Sequence, residues 1–395
     1  MTLVDTRSPV WLGTADCRLE EFRACVEQTT DPALCPTADA VERDIPLYDA
    51  RRLEVLATTA QGRRDLQAEV NLVLSTGPGV AVFKRAFADL SVIDRATDVF
   101  TALIEEERAT GAARGDHYAK PGANDRVWNA VEKLARRAPE VFADYYANDI
   151  VALVCSAWLG PGYQVTSQVN VVNPGAAAQR VHRDYHFGFL SDERAAAFPR
   201  HTHVMAPALT LQGAVAHCDM PVESGPTLYL PHSHKYEAGY LAWRRPEFGT
   251  YFEEHHVQLP LDKGDLVFFN PALFHAAGHN RTTTVRRMGN LLQVSSPFGR
   301  AMESVDRESM VNAIFPVLRR RKTEGAGEQW LRNVVDSCAE GYSFPTDLDL
   351  DAPVGGLAPP APAETVWRAV QDDWSPRQLA DELRAGAQRR GGGGR

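Results

Sequence analysis

The sequence predicts an α+β protein with a mainly β core, an antiparallel β-sandwich or barrel braced by helices. Two observations indicate this. Between residues 163 and 295, several short strand-like segments follow one another, separated by turn signals such as Asn173-Pro174-Gly175 and Asp262-Lys263-Gly264. Before and after this region, apolar residues recur at helical spacing. Strands grouped mid-chain with helices at both ends are typical of such an architecture.

The first eighty residues are predicted to be mainly helical. A turn signal at Thr76-Gly77-Pro78-Gly79 closes this part, so residues 1–78 are predicted to be a helical N-terminal extension. A short buried strand is predicted at 80–83, and a loop at 111–124. Helical spacing predicts the helices at 19–26, 51–74, 92–107, 125–137 and 139–158, with Asp89 or Ser91 capping the third.

The strand region and the C-terminal part complete the prediction. Period-2 alternation is clearest over 163–172, and further strands are predicted at 208–216, 227–230, 256–259, 265–269 and 285–295. Residues 79–300 are therefore predicted to form the β domain. Residues 301–345 are predicted to add helices packed on it, at 308–320 and 328–338. The proline-rich stretch 358–362 and the Gly/Arg-rich end predict that 346–395 is a linker-like, partly disordered tail.

Composition excludes several classes of protein. The chain has 395 residues and a formal net charge of -9, with charges of both signs interspersed, which argues against a nucleic-acid partner. No apolar run approaches the ~20 residues needed to span a bilayer, and the first residues do not form a secretory signal. The expectation is a cytoplasmic enzyme with a small-molecule substrate and no membrane partner; a homodimer is left open.

Two stretches carry the pattern of a metal site. His182 and Asp184 are two residues apart, and such residues point to the same side of a strand. His275 offers a third ligand about ninety residues later, after the strand predicted at 265–269. Two histidines and one carboxylate form the facial triad of non-haem Fe(II) oxygenases, which leaves metal positions open for other ligands. The tripeptide alone is weak evidence, because H-x-D also occurs in ordinary surface turns.

A predicted cosubstrate site follows the third ligand. Arg286 lies eleven residues after His275, and a planar guanidinium suits a cosubstrate with a distal carboxylate. Thr284 lies two residues before Arg286, so its hydroxyl is expected on the same strand face. Arg287 should then point to the opposite face, as a solvated or structural arginine.

Further pocket residues follow from strand geometry. Gln168 and Asn170 share a face of the strand that precedes the metal motif, and one of them is predicted to bond a cosubstrate carboxylate; cross-strand pairing is the alternative. The predicted substrate contacts are Tyr185, His186, Phe189 and Gln212.

These segments resemble the phytanoyl-CoA dioxygenase-like family of Fe(II)/2-oxoglutarate oxygenases. The resemblance covers roughly residues 79–297, and it includes Glu223-Ser224-Gly225-Pro226-Thr227-Leu228-Tyr229-Leu230-Pro231-His232-Ser233-His234-Lys235. It departs from the family at His232, where glycine is frequent. The resemblance implies a double-stranded β-helix, or cupin-like jelly roll. It implies iron bound by His182, Asp184 and His275, and 2-oxoglutarate anchored by Arg286 with help from Thr284.

The resemblance also implies an activity, namely an Fe(II)- and 2-oxoglutarate-dependent dioxygenase that consumes O2 and releases succinate and CO2, with ascorbate as an assay additive. Hydroxylation of a small metabolite is the expected reaction, with desaturation or cyclisation as variants. Because Asp184 is retained, halogenation is not expected. The alternatives are a cupin-like metalloenzyme without 2-oxoglutarate and a catalytically inactive jelly-roll binding protein.

Overall fold

Two β-sheets and a helical layer make up the part of the chain that the computed structural model describes, residues 10–111 and 123–391. The strands are β1 (Ala40–Glu42), β2 (Ile45–Asp49), β3 (Val80–Lys84), β4 (Asn124–Val127), β5 (Gln164–Val172), β6 (Thr210–Ala216), β7 (Thr227–Leu230), β8 (Val257–Gln258), β9 (Leu266–Phe269), β10 (Phe274–Ala277) and β11 (Arg287–Ser295). The larger sheet has the order β1-β2-β3-β9-β6-β11-β5-β4, and the smaller sheet has the order β10-β7-β8. Among these strands, β2 and β3 pair in parallel and the other pairs are antiparallel.

Helices pack against the larger sheet, and a second group packs against the smaller sheet. They are α1 (Leu19–Val26), α2 (Ala50–Leu56), α3 (Ala60–Ser75), α4 (Leu90–Ala109), α5 (Ala130–Arg137), α6 (Pro139–Tyr146), α7 (Asp149–Leu159), α8 (Asp192–Ala196), α9 (Arg200–Met205), α10 (Gly239–Ala242), α11 (Pro246–His255), α12 (Arg307–Thr323), α13 (Glu328–Cys338), α14 (Pro362–Gln371) and α15 (Pro376–Arg389). The predicted cap of α4 is confirmed, because the Asp89 carboxylate accepts a hydrogen bond from the Ser91 backbone N–H at 2.9 Å.

The largest apolar cluster lies between the outer face of the larger sheet and the helices. Alternation along β5 explains how the sheet joins it, since Val165, Val169 and Val171 are buried in this cluster. The even-numbered residues Gln168 and Asn170 point to the other face, toward the smaller sheet. These two amide side chains of β5 therefore face the space between the sheets, whereas Ser167 on its helical side lies 3.0 Å from the Tyr146 hydroxyl.

The sequence predicted a helical N-terminal extension, and this prediction is wrong in part, because the extension also contains two strands. Strands β1 and β2 form a hairpin that adds two strands to the edge of the larger sheet, beside β3. Its turn uses Arg43 and Asp44, which have positive φ angles of 50° and 67°. Such turns usually contain glycine or asparagine, so this hairpin carries no sequence signal of the usual kind.

Two other local predictions are wrong. The predicted helix over 125–137 begins only at Ala130, and strand β4 precedes it. The predicted linker-like tail folds into α14 and α15, whose residues Val366, Val370 and Leu379 are buried in the main cluster. The proline-rich stretch ends at the first turn of α14, where proline is well accommodated. Of the predicted loop and the predicted disordered end, residues 112–122 and 392–395 lie outside the described residues.

Candidate active site

The three predicted metal ligands meet at the edge of the smaller sheet. His275 lies on β10, and an extended segment containing His182 pairs with it as an antiparallel bridge. The pairing is reciprocal, with His182 N–H donating to the His275 carbonyl at 2.9 Å and His275 N–H donating to the His182 carbonyl at 3.2 Å. Asp184 continues this segment and donates its N–H to the Pro271 carbonyl at 3.3 Å. Backbone pairing therefore fixes the separation between the two histidines.

The side chains converge on one point. His182 Nε2 lies 3.7 Å from one carboxylate oxygen of Asp184, and His275 Nε2 lies 3.5 Å from the other. One ligand atom from each residue lies within 4.8 Å of the other two. The histidine side chains are buried, and Asp184 is half-buried. Within residues 10–111 and 123–391, no other group of three His, Cys, Asp or Glu residues has this arrangement.

The donor set fits an Fe(II) ion. His182 Nδ1 lies 2.9 Å from the Arg180 carbonyl, and His275 Nδ1 lies 2.9 Å from the Leu273 carbonyl. A carbonyl accepts only, so each Nδ1 carries the proton and each Nε2 presents a lone pair toward the shared point. Two imidazole nitrogens and one carboxylate oxygen match the facial triad.

Asp184 is held from its other side by Gln212. The Gln212 side-chain amide donates to Asp184 Oδ2 at 2.5 Å from strand β6. Burial alone raises the pKa of Asp184, but His182 and His275, when protonated, and the Gln212 hydrogen bond outweigh burial and lower it. The carboxylate is therefore held ionised, as a metal ligand must be.

A cavity of about 350 Å³ opens between the two sheets at the triad. Its floor is the inner face of the larger sheet, where alternate residues of neighbouring strands lie side by side. The smaller sheet and the loops supply the walls. The lining residues include Arg126, Trp128, Gln168, Asn170, Gln179, His182, Asp184, Phe189, Gln212, Ala214, Ala216, Met220, Thr227, Phe269, His275, Arg287, Gly289, Leu291, Gln293 and Met302.

Arg287 lies in this cavity and Arg286 does not, so the sequence prediction for this pair is wrong. Along β11, the cavity face carries Arg287, Gly289, Leu291 and Gln293. Arg286 precedes the strand, its side chain is 53% exposed, and it lies 3.4 Å from Asp125. Thr284 is exposed as well. The prediction counted from His275 through the loop before β11, and a loop does not preserve the alternation of a strand.

Arg287 is a buried cation. Its side chain is 7% exposed, and Nη1 has no hydrogen-bond partner among the described residues. Burial lowers the pKa of Arg287 to about 10, which still leaves it charged at neutral pH. A buried charge without a carboxylate partner is costly, unless a ligand supplies the partner. The alternation of side chains along β11, used without the spacing from His275, would have placed Arg287 on the same face as Gly289 and Leu291.

The cavity also contains a residue that the sequence prediction missed. Arg126 on β4 is buried, and its Nη1 donates to the Gln168 side-chain carbonyl at 2.8 Å. Its guanidinium lies 4.8 Å from the centre of the Trp128 ring. The sequence had predicted helix here, which hid the alternation that points Arg126 to the same face as Asn170. Gln168 and Asn170 do line the cavity.

The predicted substrate residues divide into two pairs. Phe189 and Gln212 line the cavity, with Phe189 at its exposed rim. Tyr185 and His186 are not among the described residues that line it. Both have positive φ angles, 58° and 30°, and Tyr185 is buried away from the cavity lining. The prediction that these two residues face the substrate is therefore not supported by their positions.

Together, the fold and the site define the class of this protein: a double-stranded β-helix with the metal-binding triad of the mononuclear iron oxygenases. Comparison of sequences specifies it further. The family model for phytanoyl-CoA dioxygenase (PhyH) matches residues 76–288, more than half of the 395 residues. The chain belongs to the PhyH family, and the resemblance predicted from the sequence is confirmed. Membership places it among the iron- and 2-oxoglutarate-dependent dioxygenases.

Several fungal dioxygenases are similar to this chain. Dioxygenase trt7 of Aspergillus terreus (strain NIH 2624 / FGSC A1156) is 28% identical over 216 residues, which cover 53% of this chain and 67% of trt7. The iron/alpha-ketoglutarate-dependent dioxygenase ausU of Aspergillus calidoustus is 27% identical over 177 residues, covering 41% of this chain and 53% of ausU. Dioxygenase andF of Emericella variicolor is 29% identical over 138 residues, covering 34% and 43%. The last two matches span only about half of those relatives.

Solved structures show a weaker likeness. The non-heme alpha ketoglutarate dependent epimerase SnoN from nogalamycin biosynthesis has a TM-score of 0.41 and 17% identity, covering 60% of this chain and 82% of SnoN. EvdMO1 has a TM-score of 0.42 and 16% identity, covering 59% of this chain and 50% of EvdMO1. Because both TM-scores lie below 0.5, nothing about activity follows from this likeness.

Proposed function

We propose that this protein is an Fe(II)- and 2-oxoglutarate-dependent dioxygenase that hydroxylates an unactivated C–H bond of a small-molecule metabolite. The observation that carries the proposal is the pairing of the triad with Arg287 in one cavity. His182, Asp184 and His275 would hold the iron, while Arg287 offers a buried positive charge without a described counter-ion. A metal ligand set and a distal carboxylate anchor are the two requirements of this class.

The cationic lining supports a dicarboxylate as the cosubstrate. Arg287 and Arg126 are both buried, and both line the cavity. We assign Arg287 to the distal carboxylate of 2-oxoglutarate, because an arginine fork matches a carboxylate in two hydrogen bonds. Thr227 on β7 lines the same cavity and is the hydroxyl available there, in place of the exposed Thr284.

The amides of the cavity floor are assigned to orientation. Asn170 Oδ1 is buried without a hydrogen-bond partner among the described residues, and Gln168 is held between Arg126 and Gln293. Both remain candidates for contacts with the carboxylate next to the keto group. Gln212 keeps the Asp184 carboxylate in one orientation by binding Oδ2, and Oδ1 then lies 3.7 Å from His182 Nε2.

The chemistry that iron and 2-oxoglutarate supply when bound is oxidation of a substrate C–H bond by O2, coupled to conversion of 2-oxoglutarate to succinate and CO2. The protein's part is to position these partners and to exclude water. Apolar side chains at the open part of the cavity serve the second purpose, notably Phe189, Leu291 and Met302. A cavity of about 350 Å³ is suited to small molecules.

The setting of the reaction is also part of the proposal. We propose a small-molecule substrate and a cytoplasmic location, and a homodimer remains a prediction. None of the helices formed by residues 10–111 and 123–391 combines the length and the apolar character of a membrane span.

Succinate formation tests the proposed function. The protein is incubated with Fe(II), 2-oxoglutarate, O2 and ascorbate, and succinate is measured with and without pooled small metabolites. The expected result is iron-dependent succinate formation that a metabolite increases, with a product heavier by one oxygen atom. A product lighter by two hydrogen atoms would instead assign desaturation or cyclisation. His182→Ala and Asp184→Ala should remove the activity; succinate formation that survives both changes contradicts the proposal.

A further inference from the structure

The residue between the first two metal ligands is unusual in its surroundings. Arg183 is 2% exposed, and its guanidinium forms no ion pair with a described residue. Charged side chains are seldom fully buried unless they are paired. Burying an unpaired charge costs free energy, which the contacts of Arg183 must offset.

Backbone carbonyls and aromatic rings replace the missing carboxylate. Arg183 Nη2 donates to the Ser233 carbonyl at 2.5 Å and to the Tyr236 carbonyl at 3.0 Å. The guanidinium carbon lies 5.0 Å from the centre of the Tyr240 ring and 5.1 Å from that of Phe274. These distances are typical of cation–π contacts. The charge is thus stabilised by four separate uncharged groups on two other segments.

Each of these two segments also contacts or directly adjoins a metal ligand. The Tyr240 hydroxyl donates to the Asp184 carbonyl at 3.4 Å. Phe274 directly precedes His275, and its N–H donates to the Ser233 hydroxyl at 2.8 Å. Arg183 itself lies between His182 and Asp184. The guanidinium therefore contacts residues that adjoin all three ligands.

The backbone around Arg183 is shaped to admit the guanidinium. A Cβ atom on Gly239 would lie 2.0–2.2 Å from the guanidinium atoms of Arg183. This overlap could be relieved only if the Arg183 guanidinium moved out of its site. Glycine at this position of α10 is therefore needed for Arg183 to occupy its site.

We propose that Arg183 is a positioning residue that fixes the mutual orientation of the three metal ligands. It holds the His182–Asp184 segment against the 233–240 segment and against β10, so that both histidine Nε2 atoms and the carboxylate keep their spacing. The inference rests on the proposed metal centre. Its specific consequence is that metal affinity depends on Arg183 beyond any effect of Arg183 on the stability of the fold.

The test compares Arg183→Met with Arg307→Met in the full-length protein. Arg307 is a matched control, since it also donates to two backbone carbonyls, those of Ser337 and Val165, but contacts no ligand segment. Mn(II) binding alone is measured by the electron paramagnetic resonance of the free ion, below the unfolding temperature of each variant. We expect Arg183→Met to weaken Mn(II) binding about tenfold or more. Arg307→Met should stay within about twofold, and Arg183→Lys should recover part of the loss.

A second pair of variants covers the case in which Arg183→Met does not fold. Gly239→Ala displaces the guanidinium, whereas Gly249→Ala in α11 meets open space. Gly239→Ala should weaken Mn(II) binding, and Gly249→Ala should leave it unchanged. Folded Arg183→Met or Gly239→Ala protein that binds Mn(II) like the wild type overturns the inference. Wild-type protein that does not bind Mn(II) overturns the proposed metal centre instead.

Discussion

Arg286 and Arg287 are chemically identical neighbours on opposite sides of the larger sheet. Arg286 is exposed, and it lines a separate pocket together with His217, Cys218 and Met288. Arg287 is buried beside the metal ligands. Arg286 lies just before β11 and Arg287 is the first residue of that strand, so the two differ in burial but not in side-chain chemistry and provide an internal comparison.

Arg287→Ala should weaken binding of 2-oxoglutarate to the Mn(II)-loaded protein by roughly thirtyfold or more, the cost of removing one partner from a buried charge pair. Isothermal titration calorimetry measures this directly. Arg286→Ala is the matched control and should leave the affinity within about twofold, because an exposed pair contributes little. Equal losses in both variants would contradict the assignment of Arg287.

Gln212 contacts the carboxylate of a metal ligand without being a ligand itself. Gln212→Leu removes the donor to Asp184 Oδ2 and leaves that oxygen free to turn. Mn(II) affinity should fall about tenfold, as is usual when a group that orients a metal ligand is lost. Gln293→Leu is the control, since Gln293 lies opposite Gln212 on β11 and lines the same cavity. A larger effect from Gln293→Leu would show that the hydrogen bond to Asp184 is not what matters.

At the scale of elements, strands β5, β6 and β11 do two tasks at once. One face of each packs into the helical layer, and the other carries the cavity residues. The helical layer therefore covers the outer face of the sheet whose inner face is the cavity floor. The helices α14 and α15 belong to that layer, although the sequence suggested a tail.

Leu379→Ala tests whether α15 contributes to the core. Leu379 is 1% exposed, and removing such a side chain costs about 2–5 kcal/mol of the free energy of unfolding. Leu357 is 100% exposed, so Leu357→Ala should change it by less than about 0.5 kcal/mol. Chemical denaturation measures both. If the two variants were equally stable, α15 would not be part of the cooperative fold.

For the whole molecule, the sequence predicted the fold class and the metal ligands, but not every element or contact. The H-x-D motif and His275 could be recognised because their spacing accompanies a family resemblance. The β1–β2 hairpin could not, since Arg43 and Asp44 are not the usual residues of its turn. Helices α14 and α15 were not predicted, because the proline-rich stretch before them indicated a linker.

The contacts that complete the site depend on the folded structure. Gln212 and Asp184 lie 28 positions apart, and no local pattern connects an amide on β6 to a carboxylate in a loop. The contacts of Arg183 with residues 50 and 53 positions away are of the same kind. Arg287 was missed because a loop of unknown shape separated it from the last known ligand. Sequence patterns identify the face of an element, and only the fold shows which faces meet.

The central claim is that the triad binds a metal ion to which 2-oxoglutarate binds in turn. Metal-dependent binding of 2-oxoglutarate tests it most directly, measured by titration calorimetry in the absence of O2. The wild-type protein should bind 2-oxoglutarate with one site per chain when Mn(II) is present and only weakly without it. Asp184→Ala should lose the metal-dependent part. Binding that is equally strong without metal, or that survives Asp184→Ala unchanged, would contradict the account.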